Sequence, residues 1–250
     1  MTHATGSHVV RGLQERAARA LPAEHVEHAG GWWLRLAPTC SWWVGTVLPH
    51  GDAGPEELAR RVGEAEEFYG RHGLDTRFQI SPRACPDALD ALLADRGYRR
   101  GGRMSLQAAS TARVLEQASG STRVRVDDRP AGEWFEVWHA VHGHDGEWDL
   151  LGRVERPSAY ASVSVGADVI AVGRAVADDG WAGVFGMATL PRARGKGAAR
   201  EVLAALAGWA RTQAADRMYL QVECENHAAV RLYAWAGFQE VCGYHYRVAP

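Results

Sequence analysis

The sequence predicts a mixed α/β fold carried by two units in tandem, and three observations predict it. Short apolar runs bounded by Gly, Pro, Asn or Asp alternate with helix-period stretches along all 250 residues. One apolar run passes through the glycine-rich loop Arg194-Gly195-Lys196-Gly197 straight into a long amphipathic stretch. Strand, helix, glycine and aromatic also follow one another near the end of each half: FQIS leads to Arg96-Gly97-Tyr98, and LQVE leads to Ala236-Gly237-Phe238. In both places the glycine suits the left-handed backbone that stops a helix.

Composition narrows the function classes. Hydrophobic residues at 46% and charged residues at 23% are those of an ordinary packed globular chain. No window approaches the roughly 18 consecutive apolar residues of a membrane span. The opening MTHATGSHVV has no basic region followed by an apolar run, so no signal peptide and no membrane partner are expected, and the expected location is cytoplasmic. The first 110 residues carry 13 basic and 13 acidic side chains and the rest 15 and 17, which argues against a nucleic-acid partner. Cys40, Cys85, Cys224 and Cys242 are scattered with no C-x-x-C pair, so they read as reduced core thiols rather than a disulfide framework or a zinc site.

In the first half a helix is expected around Val9 to Leu21, then strands at Trp32 to Leu36 and Trp42 to Leu48 about the Pro38-Thr39-Cys40 turn. A helix from Pro55 to His72, with Pro at its start and Gly73 after it, obeys the start and stop rules. A strand at Arg77 to Ile80, a helix from Pro86 to Asp95 and an apolar stretch at Met104 to Leu106 follow. Small polar residues mark 111–121 as the linker, with the boundary near Gly120, between a domain at 1–110 and one at 122–250.

The second half reads as a strand at Val124 to Val126, a helix near Glu133 to Val141, and another around Trp148 to Arg153 that resumes near Ala159. Strands follow at Val163 to Val165, Val169 to Ala177 and Gly183 to Leu190. The helix from Ala198 to Ala214 repeats Val202, Leu203, Leu206 and Ala210 at helical spacing. Strand Met218 to Val222, helix Ala228 to Ala236 and a strand pair near Val241 to Val248 close the chain.

The loop Arg192 to Gly197 has the composition of a pyrophosphate cradle. Glycines let the backbone approach an anion, the first amides of the helix point at it, and Arg192, Arg194 and Lys196 supply cationic donors. Alone it is also compatible with a solvated basic turn, or with a dinucleotide fingerprint lacking its third glycine. About thirty residues on comes Asn226-His227-Ala228-Ala229-Val230-Arg231-Leu232-Tyr233, then Gly237-Phe238, with Asn226 at a helix N-cap position.

Together R-x-x-G-x-G after one strand and N-x-x-A-x-x-L-Y-x-x-x-G-F after the next resemble the GNAT superfamily of N-acetyltransferases, over roughly Thr122 to Val248. The resemblance implies a tandem GNAT-like fold, with a degenerate N-terminal unit and a catalytic C-terminal unit. It implies that Met187, Ala188 and Thr189 hydrogen-bond the pantetheine arm of acetyl-CoA through their backbone. Arg192, Arg194, Gly195, Lys196, Gly197, Ala198 and Ala199 would hold the pyrophosphate, and Asn226 and Ala229 would border the pantetheine. Tyr233 would protonate the departing thiolate; its plain alternative is a core aromatic. In the first half Leu93 stands where Tyr233 would, and "LPHGDAGPEEL" replaces the basic loop, so that unit is expected to be non-catalytic and to pack on the active one. Trp32, Trp33, Trp42 and Trp43 would wall an acceptor cleft or simply pack a core.

The expected reaction is transfer of acetyl from acetyl-CoA to a primary amine by direct attack in a ternary complex, with a small-molecule amine as first acceptor class and a peptide or protein amine as second. The competing class is a CoA-binding sensor or assembly module without turnover. An amine must lose a proton before it attacks, yet the strand Trp181 to Leu190 carries no carboxylate. Glu223 is the leading candidate to take the proton; Glu225, His139, His142, His144, Asp145, Glu147 and a water relay are alternatives. The spacing of the three histidines does not match a metal site, so no metal is expected. The sequence leaves a homodimer open.

Overall fold

The computed structural model describes residues 2–118, 123–144 and 146–250, so the expected boundary at Gly120 and the candidate Asp145 lie outside the described residues. The chain forms two compact units, one of residues 1–105 with 242–250 and one of residues 106–241.

The first unit begins with α1 (Thr2–Ala20), β1 (His25–Ala29), β2 (Trp32–Leu36), β3 (Val47–Leu48), α2 (Pro55–Gly70), β4 (Arg77–Ile80) and α3 (Leu89–Asp95), and β5 (Arg99–Ser110) leads out of it. Its strands stand in the order β1-β2-β3-β4 and then β11 (Gln239–Val248), the closing strand of the chain. The expected strand pair near Val241 is thus one strand, and its end pairs antiparallel with β4, from His245↔Ile80 to Val248↔Arg77. That pairing draws residues 242–250 into the first unit.

Trp42 to Thr46, expected as strand, is a turn ahead of β3. The cause is the buried guanidinium of Arg35, which donates to the carbonyls of Thr46 (3.1 Å) and Trp43 (3.0 Å) and to the Thr46 hydroxyl (2.7 Å), bending the segment around one cation. Trp32 is buried edge-on to Phe78, Trp33 meets His28, and Trp42 is partly exposed against Tyr246.

The second unit contains α4 (Thr111–Gln117), β6 (Val124–Asp127), α5 (Gly132–His142), α6 (Glu147–Gly152), β7 (Ser158–Val165), β8 (Asp168–Asp178), β9 (Trp181–Thr189), α7 (Ala198–Thr212), β10 (Arg217–Glu223) and α8 (His227–Trp235). The expected linker segment is helical from Thr111, because the Ser110 hydroxyl caps the Arg113 amide at 3.2 Å. The stretch at Ala159 is strand rather than resumed helix. Its SAYASVSV pattern pairs with β8 from Ser158↔Val176 onward and buries Ala159, Ala161 and Val163.

Strand order here is β5-β10-β9-β8-β7-β6; β6–β7, β7–β8 and β8–β9 are antiparallel and β9–β10 is parallel. Helix α7 lays Val202, Leu203, Leu206, Ala207 and Ala210 onto the sheet, where they join Ala159, Val163, Ala171 and Val184 in one core.

Candidate functional site

Two local irregularities open the sheet of the second unit. Strand β9 pairs with β8 at Val172↔Ala188 and again at Arg174↔Phe185, so β9 spends one residue more than β8 over that step and bulges at Gly186-Met187. Gly186 carries the turn with a φ of +58°, a left-handed conformation that side chains other than glycine resist. On its other edge β9 pairs in parallel with β10 from Trp181↔Arg217 to Val184↔Leu220. That ladder stops there, although β9 runs on to Thr189 and β10 to Glu223. Beyond Val184 and Leu220 the facing edges of β9 and β10 are unpaired, and Met187, Ala188 and Thr189 lie on that stretch of β9.

The basic loop follows this edge. Pro191–Ala193 forms one turn of 3-10 helix, and Gly195 and Gly197 then take positive φ of +76° and +88°. A Cβ on either glycine would meet nothing within 4 Å, so the face above the loop is open. The Arg194 guanidinium donates to the Thr189 carbonyl at 3.2 Å and the Lys196 ammonium to the Arg192 carbonyl at 3.1 Å, which folds both side chains back over the loop. Gly197 caps α7, and the amides of Ala198 and Ala199 lie in its first turn, where backbone N–H groups have no intrahelical acceptor. All the cations here are exposed. Open glycine faces, helix amides and three cations together can hold a polyanion.

Helix α8 starts at Asn226, whose side-chain oxygen accepts the Ala229 amide at 3.2 Å. Tyr233, two turns in, is 6% exposed and meets Phe238 edge-on, with ring centroids 5.9 Å apart. Burial alone raises its phenol well above the ordinary value of 10.0, and its hydroxyl has no hydrogen-bond partner among the described residues. Such a phenol keeps its proton at physiological pH and can give it only to something that arrives. Glu223 is exposed at the end of β10, and its carbonyl accepts the Asn226 amide at 3.0 Å.

Helix α5 covers the bulge. Trp134 donates its indole N–H to the carbonyls of Ala161 and Gly173, each at 3.2 Å, which docks the helix on β7 and β8. Trp138 lies over Gly186, and His142, one turn further, donates a ring N–H to the Met187 carbonyl. Phe135 stacks on Trp138 and His139 and meets Trp148 of α6 edge-on, and Glu147 of α6 is buried. Sequence reasoning carried His142 only as one of several alternatives. The i, i+4, i+8 row Trp134, Trp138, His142 was the available signal that it shares a helix face with the aromatics.

A family model described as "Probable histone acetyltransferase Rv0428c C-terminal" matches residues 7–247. The Bacillus subtilis (strain 168) protein called "Uncharacterized N-acetyltransferase YobR" is 29% identical over 251 residues, which cover 96% of this chain and 98% of the relative. Among solved structures, the GCN5-related N-acetyltransferase from Kribbella flavida superposes with a TM-score of 0.74 at 15% identity, covering 98% of this chain and 95% of that one. The tandem GNAT protein from the clavulanic acid biosynthesis pathway gives 0.62 at 12% identity, covering 92% and 84%. The structural likenesses establish the fold, a mixed α/β architecture shared with GNAT proteins. Since the family model spans nearly all of both units, the chain belongs to that acetyltransferase family and is a GNAT N-acetyltransferase.

Proposed function

We propose that the second unit transfers acetyl from acetyl-CoA to the primary amine of a small molecule, by direct attack while both substrates are bound. The observation that carries this reading is the parting of β9 from β10 beyond Val184 and Leu220, with the open glycine loop following β9 and the buried Tyr233 on the helix following β10.

In this reading the backbone of Met187, Ala188 and Thr189 takes the pantetheine arm as a β-strand takes a neighbour. One amide on that edge faces the acetyl carbonyl oxygen and stabilises the charge that develops there. Gly195, Gly197, Ala198 and Ala199 receive the pyrophosphate through their amides, and Arg192, Arg194 and Lys196 screen its charge. Asn226 fixes the start of α8 by its cap, so that Ala229 borders the arm and Tyr233 reaches the sulfur. The phenol then gives its proton to the leaving thiolate. Glu223 supplies a negative charge at the end of β10 that draws the acceptor's ammonium in.

The aromatic rings of Phe135, Trp138 and Trp148, which meet one another, support a small cationic acceptor, because ring faces attract a compact ammonium. A protein amine is the second reading, favoured by the histone named in the description of the matching family.

Thermal unfolding with and without acetyl-CoA, followed by thiol release against a panel of primary amines, tests the proposal. A ligand of the folded state must raise stability by mass action. A shift together with thiol release supports the enzyme, a shift without turnover supports a CoA-binding sensor, and no shift contradicts both.

A further inference from the structure

Deprotonation of the acceptor needs a base that is neutral when the ammonium arrives, and α5 presents one at the bulge. His142 is the last residue of that helix, ahead of Gly143 in the left-handed conformation. Its ring packs on Trp138 with centroids 5.0 Å apart. One ring N–H is committed to the Met187 carbonyl, in the strand segment that Gly186 bulges away from β8. A histidine that donates from one nitrogen has its tautomer fixed and keeps the lone pair on the other.

We propose that His142, through the ring nitrogen not bonded to Met187, takes the proton from the acceptor's ammonium. This inference rests on the acetyl-transfer reading above. The bulge that opens the strand edge also supplies the carbonyl that orients the imidazole, so acyl site and base are set by one backbone feature.

The charged and titratable groups facing His142 are His144 and Glu147, from the loop and α6. Loss of hydration lowers its basicity most, donation to Met187 opposes this, His144 lowers it further and Glu147 raises it. The balance lies below the ordinary 6.5. The ring is therefore neutral at physiological pH and ready to accept.

The protons balance. One ammonium proton passes to His142 and then to solvent. The freed lone pair forms the N–C bond to the acetyl carbonyl carbon, the C–S bond breaks, and the thiolate takes the Tyr233 proton. The second proton shed by the new amide nitrogen restores the phenol.

The test compares wild type with His142→Gln, whose amide can still donate to the Met187 carbonyl, on two probes at pH 7. One is a primary alkylamine, which arrives as an ammonium; the other is methoxyamine, which arrives neutral. The expected result is a fall in kcat/KM of about 10²-fold for the alkylamine and less than about threefold for methoxyamine. The acidic limb of the alkylamine pH profile should vanish with the imidazole. Equal losses on the two probes would show a packing role and overturn the proposal, while leaving the acetyl-transfer reading intact. Absence of thiol release from wild type with either probe would overturn that reading, and this one with it. Nitrogen-detected NMR of the intact protein gives a second reading: one ring nitrogen should stay protonated throughout, and an imidazole already charged at pH 7 would contradict the proposal.

Discussion

The Trp138 indole lies directly over Gly186: a Cβ built on that glycine would stand 3.2 Å from the indole Nε1 and 3.4 Å from Trp134. Glycine is needed at this point twice over, for its φ of +58° and for the room it leaves the helix.

Gly186→Ala should therefore cost about 1–2 kcal/mol for the left-handed backbone alone, with crowding against Trp138 added to it. Urea unfolding reads the stability loss. In the folded fraction the KM for the acetyl donor should rise, since the displaced bulge carries the Met187 peptide. Unchanged stability and KM would mean that the bulge does not depend on this glycine.

Gly195→Glu and Gly197→Glu should each abolish acetyl-CoA binding in calorimetry, because a side chain and a negative charge would both enter the open face above the loop. Arg194→Ala should weaken binding several-fold with little loss of stability, as one of several donors sharing the anion. Retained affinity in the glutamate variants would refute the loop's assignment.

In the first unit, Asp90 of α3 accepts Nε2 of His245 at 2.9 Å and Nε of Arg247 at 2.7 Å, pinning β11 by a side chain. Burial pushes its carboxyl up, but the two donors outweigh burial and hold it below the ordinary 3.8. The unfolded chain thus takes up this proton at higher pH than the folded one. The stabilisation is complete above the ordinary value and is lost as pH falls through the lower folded value. Asp90→Ala should cost about 1–2 kcal/mol at pH 7, discounted for a carboxylate that is partly exposed. The gap between variant and wild type should close on acidification towards pH 2. A gap independent of pH would show that the carboxylate's charge is not what pins the strand.

What the sequence revealed was local. Strand Trp32–Leu36, helix α7 and the glycine loop lie where apolar spacing and punctuation put them, because their determinants sit within a few residues. The turn at Trp42 to Thr46 depends on a guanidinium from another strand, and the placement of Cys242–Pro250 on a pairing between residues 160 and more apart in sequence. Strand β1, HVEHA, was missed because its burial is shallow on both faces and its pattern polar. Of the site, the loop and the Asn226-to-Tyr233 helix were legible from residue types. The bulge was not, since an extra residue in β9 is defined only by register against β8, and with it went the meaning of His142.

Tyr233 bears the central claim, because a buried ring and a proton donor differ by a single hydroxyl. Single-turnover thiol release, measured where chemistry limits the rate, compares wild type with Tyr233→Phe at saturating acetyl-CoA. The account predicts a fall of roughly 10²–10⁴-fold, nearer the lower end because a thiolate is a tolerable leaving group, with acetyl-CoA affinity unchanged. A rate within about twofold of wild type would contradict it, and would make Tyr233 a packing residue.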